Sequence, residues 1–512
     1  MTTESATQRI AGGYAVAGQA LELGTVVVDG NADPAAQIRI PLATVNRHGL
    51  VAGATGTGKT KTLQLIAEQL STAGVPVLMA DVKGDLSGLS RPGEANDKTA
   101  ARAADTGDDW AATGFPVEFL SLGTDGVGVP IRATVASFGP VLLSKVLGLN
   151  ATQESTLGLI FHWATENNRP LITLEQLRGV IGHLTSEQGK ADLESLGGVS
   201  STTAGVILRA LVNLEGEGGD TFFGEPKLDP QDLLRVDNQG HGIISLLEFS
   251  GESLRPAIFS TFLMWLLADL FNELPEVGDV DKPKLVFFFD EAHLLFTDAS
   301  KAFLEQVEQT VKLIRSKGVG VFFCTQLPTD LPNDVLSQLG ARIQHALRAF
   351  TPDDQKALSK TVRTYPKTDV YDLESALTSL GIGEAVVTVL SEKGAPTPVA
   401  WTRMRVPRSL MSAIGSEAIT KAANDSPLRA KYGQTIQQPP EPEVSQPPSP
   451  APTAPPSSYS DPYEIPPMPA PAEPPGPSMW QEVLKNPTVK SGINTAIREA
   501  VKAVFGTGRR RR

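Results

Sequence analysis

Three short stretches hold residues whose types and spacing can do chemistry. Gly53–Thr60 reads GATGTGKT, Leu285–His293 reads LVFFFDEAH, and Gly320–Gln326 reads GVFFCTQ. The first fits the pattern G-x-x-x-x-G-K-[ST]. Its glycines let backbone N–H groups turn toward one centre, so the run from Gly53 through Ala54, Thr55, Gly56, Thr57 and Gly58 can cradle the α- and β-phosphates of a nucleotide. Lys59 then reaches the β- and γ-phosphates, Thr60 sets its hydroxyl on Mg²⁺, and Lys61 continues into a helix whose N-terminus favours negative charge. Binding alone needs nothing more, whereas hydrolysis needs a second acidic station. Asp290 can hold the Mg²⁺ shell and Glu291 can polarise a water for in-line attack on the γ-phosphate. An acidic pair that ends an apolar strand is a weak signal by itself. Combined with the phosphate loop it specifies hydrolysis of ATP.

Two more apolar runs end in polar residues. Gln326 can sense the γ-phosphate or orient the water, with a plain loop hydrogen bond as the alternative. Asp81, after VPVLMA, can assist at the same site or serve as a helix cap. Arginines are informative by where they cannot reach. Arg47 precedes the first strand and Arg315 ends the helix after Glu291, so both belong at the far edge of the sheet, roughly 20 Å from the phosphates. Each can serve a neighbour's nucleotide if identical subunits close into a head-to-tail ring, or be an ordinary surface arginine.

Positioning these groups takes a sheet of buried strands. GLVAG (Gly49–Gly53), VPVLMAD (Val75–Asp81), GIISLLEF (Gly242–Phe249), KLVFFFDE (Lys284–Glu291) and GVFFCTQ are unbroken apolar runs, followed by ARIQHAL (Ala341–Leu347) and EAVVTVL (Glu384–Leu390). Helical periodicity fills the gaps at Thr60–Ala73, Leu254–Phe271 and Lys301–Ser316. Alternating strands and helices of this kind predict an α/β core with a parallel sheet covered on both faces. Residues 46–85 and 236–408 make that core. Residues 1–45 read as a small β element, 86–235 as a mainly helical insertion too long for a loop, and 409–436 as a short helical segment. Gln437–Ser478 holds 17 of the 39 prolines, which predicts a disordered linker over 437–479. Residues 480–512 read as a basic amphipathic tail ending in four arginines.

The chain carries a net charge of −12, which argues against coating nucleic acid over the whole surface but not against a local basic channel. The last 32 residues are net +6, leaving −18 on residues 1–480. Six histidines without ligand spacing, and the one cysteine, Cys324, inside an apolar strand, give no zinc site. A lone cysteine excludes an internal disulfide, and residues 1–20 lack a signal-peptide pattern, so a cytoplasmic location is the expectation. The run AIFSTFLMWLLADLF (Ala257–Phe271) is too short for a membrane span and reads as a buried helix.

NRHGLVAGATGTGKTKTLQ, ADVKGDLSGL, FFFDEAHLLF and IRSKGVGVFFCTQLPTDLP together resemble the HerA-like helicase and translocase ATPases of the FtsK–HerA superfamily, most closely their compact bacterial branch. The resemblance spans roughly Leu21–Arg408. It implies a RecA-like ASCE P-loop core, a homohexameric ring, Mg-ATP hydrolysis and duplex DNA drawn through a pore. It also implies roles for Lys59, Thr60, Asp81, Asp290, Glu291, Arg315 and Gln326, with Arg47 as a trans finger. Full-size archaeal members have a sizeable N-terminal β-barrel and work with a nuclease partner. The first 45 residues here are too few for the barrel, and nothing in the sequence specifies a nuclease. DEAH at Asp290–His293 also suggests the two-domain DEAH-box helicases, but no second ATPase-like domain follows Trp401. A motor or scaffold acting on a protein client through the proline-rich arm is the second reading, and a nucleotide-gated switch the third.

Overall fold

The computed structural model describes residues 5–434, apart from 82–83, 124–125, 249–255, 279, 298 and 392. The linker expected at 437–479 and the tail at 480–512 lie outside the described residues.

Among the described residues twelve strands form one sheet. They are β1 (Ala20–Val28), β2 (Asn31–Pro41), β3 (Gly49–Ala52), β4 (Val77–Asp81), β5 (Val117–Leu122), β6 (Val129–Ile131), β7 (Ile244–Glu248), β8 (Leu285–Phe289), β9 (Val319–Thr325), β10 (Ala341–Gln344), β11 (Glu384–Thr388) and β12 (Ala400–Met404). Their order across the sheet is β2-β1-β12-β11-β10-β3-β9-β8-β4-β7-β5-β6. From β10 to β6 every neighbouring pair is parallel, and from β10 through β11, β12 and β1 to β2 every pair is antiparallel.

Side-chain alternation explains why the central strands are apolar without a break. Leu50, Phe287, Phe289 and Phe323 join the core on one face, while Val51, Val286, Phe288 and Phe322 join the core on the other. Both faces of β3, β8 and β9 are therefore dry, and only continuous hydrophobic runs satisfy that. Stacked rings tie neighbouring strands together, with Phe289 5.3 Å from Phe323 and Phe288 5.3 Å from Phe322. Helix α1 (Lys59–Thr72) covers one face with Leu63, Ile66 and Leu70. Helix α2 (Pro256–Glu273) and helix α3 (Lys301–Ile314) cover the other with Trp265, Val307 and Val311. Trp265 is buried among rings, so the run around it is a core helix, and no helix among the described residues is long and apolar enough to cross a membrane.

Two parts of the chain that read as separate pieces enter the same sheet. Residues 86–235 carry helices as expected, and they also supply β5 and β6, which lengthen the parallel edge beyond β7. The β element of the first 45 residues joins through β1 pairing with β12. Neither join is visible in periodicity, because partner choice depends on contacts far apart in sequence. The segment 409–436 contains two short helices, Ser416–Asp425 and Leu428–Tyr432.

Candidate nucleotide site

The parallel register decides what meets at the carboxyl edge. Ala52 pairs with Thr325, Phe289 with Phe323, Met79 with Phe288, and Asp81 with Glu248. The next residues along these strands are Gly53, Gln326, Asp290–Glu291 and the turn after Asp81. The candidate groups of β3, β9, β8 and β4 thus share one edge, where ligand crevices of open parallel sheets lie.

Gly53 opens the loop with φ +151°, and a Cβ there would come within 2.6 Å of the His345 Cβ. Its N–H is directed at the carbonyls of Thr325 and Gln326, at 3.3 and 3.2 Å. Gly56 and Gly58 also hold positive φ, at +80° and +114°, a conformation that favours glycine. Thr57 closes the loop on itself by donating its hydroxyl to the Ala54 carbonyl at 2.7 Å. Lys59 folds back over the loop, donating to the carbonyls of Gly53 and Ala54 at 2.6 and 3.2 Å. Thr60 follows it in the first turn of α1. The Lys61 ammonium donates to Gln64 at 3.1 Å and to the Met411 carbonyl at 2.7 Å, away from the loop carbonyls that Lys59 engages.

Cys324, buried in β9, lies under this edge. Burial drives its thiol well above the usual range; Asp290 and Glu291 push it further, and Lys59 opposes them. The register of β3, β9 and β8, with Lys59 folded over Gly53 and Ala54, brings the loop lysine and the Asp290–Glu291 pair to the same end of the sheet. Glu291 itself holds φ +46°, a left-handed conformation uncommon for a residue with a long side chain. Its N–H donates to the Asp290 carboxylate at 2.9 Å, and its own carboxylate stands 3.4 Å from the His293 ring. Strain of this kind persists where the surroundings over-determine it, which is common in sites that position groups. Gln326 is exposed and lines a cleft of about 440 Å³ with His293, Phe296 and Asp330.

Asp81 is occupied locally. It is buried and accepts N–H groups from Leu86 at 2.8 Å and Asp85 at 3.2 Å, which makes it the cap of the following turn. Sequence reasoning passed over its neighbour, Glu248. Burial lifts Asp81 to about 6 and Glu248 to about 8, the latter also repelled by Asp81. The Glu248 Oε1 and the Ser121 Oγ have no hydrogen-bond partner among the described residues. A carboxyl raised by folding contributes stability below its unfolded pKa and loses it as pH rises through the folded one. Glu248→Gln is therefore expected to flatten the stability profile between pH 4.5 and 8. At the upper end the gain should be about 1–3 kcal/mol. Thermal unfolding at both ends checks it; an equal shift at the two pH values would contradict the assignment.

Arg47 and Arg315 stand at the opposite edge. Arg47 precedes β3, and its carbonyl accepts the Gly340 N–H just before β10; Arg315 follows α3, before β9 begins. His48 links them. Its Nδ1 accepts the Val321 N–H at 3.0 Å and its Nε2 donates to the Val311 carbonyl at 2.7 Å. Burial lowers its pKa to about 4, with the charge of Arg315 adding to the shift. The two arginines thus share one edge, away from their own phosphate loop.

Two further residues touch the loop and had no signal in the sequence beyond following a strand. His345 is buried, accepts from the Thr62 hydroxyl at 2.9 Å and donates to the Glu384 carbonyl at 2.8 Å. Burial lowers it to about 4, so it is a neutral strut under the loop. Arg348 donates to the Thr55 carbonyl at 3.3 Å.

A phosphate loop after β3, an acidic pair after β8 and a polar residue ending the strand between them define a RecA-like P-loop ATPase fold. The chain belongs to the HerA-like helicase family: the family described as helicase HerA-like, C-terminal, matches residues 27–512. No functionally curated protein matches the chain in sequence. Among solved structures it is similar to the bacterial conjugative coupling protein TrwBdeltaN70 in an unbound form, with 16% identity and a TM-score of 0.52 over 80% of this chain and 94% of that one. TrwB in complex with ADP and Mg²⁺ shares 17% identity, with a TM-score of 0.52 over 80% and 94%. TrwB with a non-hydrolysable ATP analogue shares 17%, with a TM-score of 0.52 over 79% and 94%. At these identities the likeness is one of fold.

Proposed function

We infer that the protein is an Mg-ATP hydrolase that works as a ring-forming motor on duplex DNA. The parallel register that sets the phosphate loop, Gln326 and the Asp290–Glu291 pair at one edge of the sheet carries the hydrolytic part. When bound, Mg²⁺ supplies charge neutralisation on the β- and γ-phosphates, with Thr60 and Asp290 as the groups to hold it; a hydroxyl and a carboxylate suit a hard cation. The loop's N–H groups and Lys59 orient the triphosphate, Glu291 takes the proton of the attacking water, and Gln326 aligns that water. TrwB, described with ADP and Mg²⁺, with an ATP analogue and with a GTP analogue, supports a nucleotide with Mg²⁺ on this fold.

Ring formation is supported by Arg47 and Arg315, which share the edge opposite their own phosphate loop, where an arginine can serve a neighbour's nucleotide if subunits close head to tail. Family membership and the likeness to a conjugative coupling protein favour DNA as the client. ATP turnover of the full chain, measured with and without duplex DNA at low salt, tests this. Stimulation with DNA binding is expected; neither one appearing would overturn the DNA assignment.

A second reading, a motor or scaffold acting on a protein, is favoured by the −18 charge of residues 1–480 and by the proline-rich stretch, since such segments serve as docking ligands. Recovery of one defined protein on residues 437–512, with no DNA effect on turnover, would select it. A nuclease that engages this arm would instead join the two readings.

A further inference from the structure

We propose that the segments leaving β10 and entering β11 form the nucleoside-binding lip of the site, with Phe350 and Ile382 as its apolar contacts and Arg348 joining it to the phosphate loop. This rests on the loop holding a nucleotide's phosphates.

Direction comes first. Lys59, Asp290 and Gln326 place the γ-phosphate on the β9–β8 flank of β3. A triphosphate laid along the loop must then carry its base and ribose out over the opposite flank, where β10 and β11 lie. Both segments on that flank are bonded directly to the loop. The Ala54 N–H donates to the Ala346 carbonyl at 2.8 Å, and the Gly383 N–H donates to the Thr57 carbonyl at 3.0 Å. A Cβ on Gly58 would sit 3.2 Å from the Gly383 nitrogen, so the contact is close.

These same segments carry the two most exposed large apolar side chains among the described residues. Phe350 is 86% exposed and Ile382 77%, against 53% for the next, Val236. A single exposed apolar side chain needs no partner; what points to a ligand is that both stand on the segments bonded to the phosphate loop. Beside Phe350 lies a groove of about 400 Å³, walled by Leu347, Arg348, Leu358, Glu374 and Thr378. That volume and its mixture of apolar surface with a few polar groups suit a base and sugar. An aromatic ring gives a base a stacking face, and an arginine beside it adds charge where ribose meets phosphate.

The occupant is therefore the nucleoside half of the triphosphate already in the loop. Equilibrium binding of ATP and of inorganic tripolyphosphate, each with Mg²⁺, to the full chain separates the two halves. Phe350→Ala and Ile382→Ser are each expected to weaken ATP about tenfold and to leave tripolyphosphate unchanged. Lys59→Ala is expected to weaken both ligands. Unchanged ATP affinity in both lip variants would overturn the proposal, including the case where sedimentation shows only weaker self-association and the lip is a subunit contact. Equal loss of both ligands would also overturn it, as a general lesion. Wild-type protein that binds neither ligand would remove the nucleotide reading and the lip with it.

Discussion

Glu291→Gln is expected to reduce ATP turnover by about 10²–10⁴-fold while leaving ATP affinity within a small factor of wild type. The substitution keeps the length and shape of the side chain and removes only the ability to take a proton. Glu291 follows Asp290, the residue proposed to hold Mg²⁺, and sits in a left-handed backbone conformation, with His293 at 3.4 Å. Its place is fixed by its neighbours, so the amide should occupy the same position without activating water. Phosphate release and equilibrium ATP binding, measured on one preparation, read the two effects separately. Unchanged turnover would identify a nucleotide-gated switch with some other source of residual hydrolysis.

Arg47→Ala and Arg315→Ala should each behave differently from a surface change. An arginine supplied across an interface to the transferring phosphoryl group is worth about 10³–10⁵ in rate. Either variant that loses activity on this scale, with ATP binding retained, is acting from the far edge of the sheet. Some seven residues of β9 separate Arg315 from Gln326, which spans about 20 Å and excludes a direct effect on the same subunit's nucleotide. Mixing distinguishes the source. An Arg47→Ala subunit retains Glu291, and a Glu291→Gln subunit retains Arg47, so their mixture regenerates some interfaces with both groups. Recovery of turnover on mixing two inactive samples is expected. Additive inactivity in a mixture shown to form shared rings would place the arginine outside the chemistry.

The core of the fold was legible because burial on two faces leaves a plain mark. LVFFF and VGVFFCT have no polar residue to spare for solvent, and β8 and β9 are buried throughout. The phosphate loop was legible for a local reason, since three glycines, a lysine and a threonine at fixed spacing serve one geometry. Long-range pairing left no such mark. Val117–Leu122 mixes Glu118 and Ser121 into an ordinary strand, and only its contact with β7 makes it an edge of the main sheet. Glu248 closes an apolar run as Asp290 does, yet lacks a neighbouring acid or a motif to flag it. His345 and Arg348 sit in ARIQHALRAF, where nothing local says that the next turn of the loop will rest on them. Asp81 was noticed for its position at a strand end, and its backbone bonds to Asp85 and Leu86 show why such a position has two meanings.

The most direct test is an experimental structure of the full chain with Mg²⁺ and a non-hydrolysable ATP analogue. The account predicts one metal between Thr60 and Asp290, the γ-phosphate against Lys59, and a water between that phosphate and Glu291. A triphosphate bound away from Gly53–Thr60, or a metal held without either Thr60 or Asp290, would contradict it.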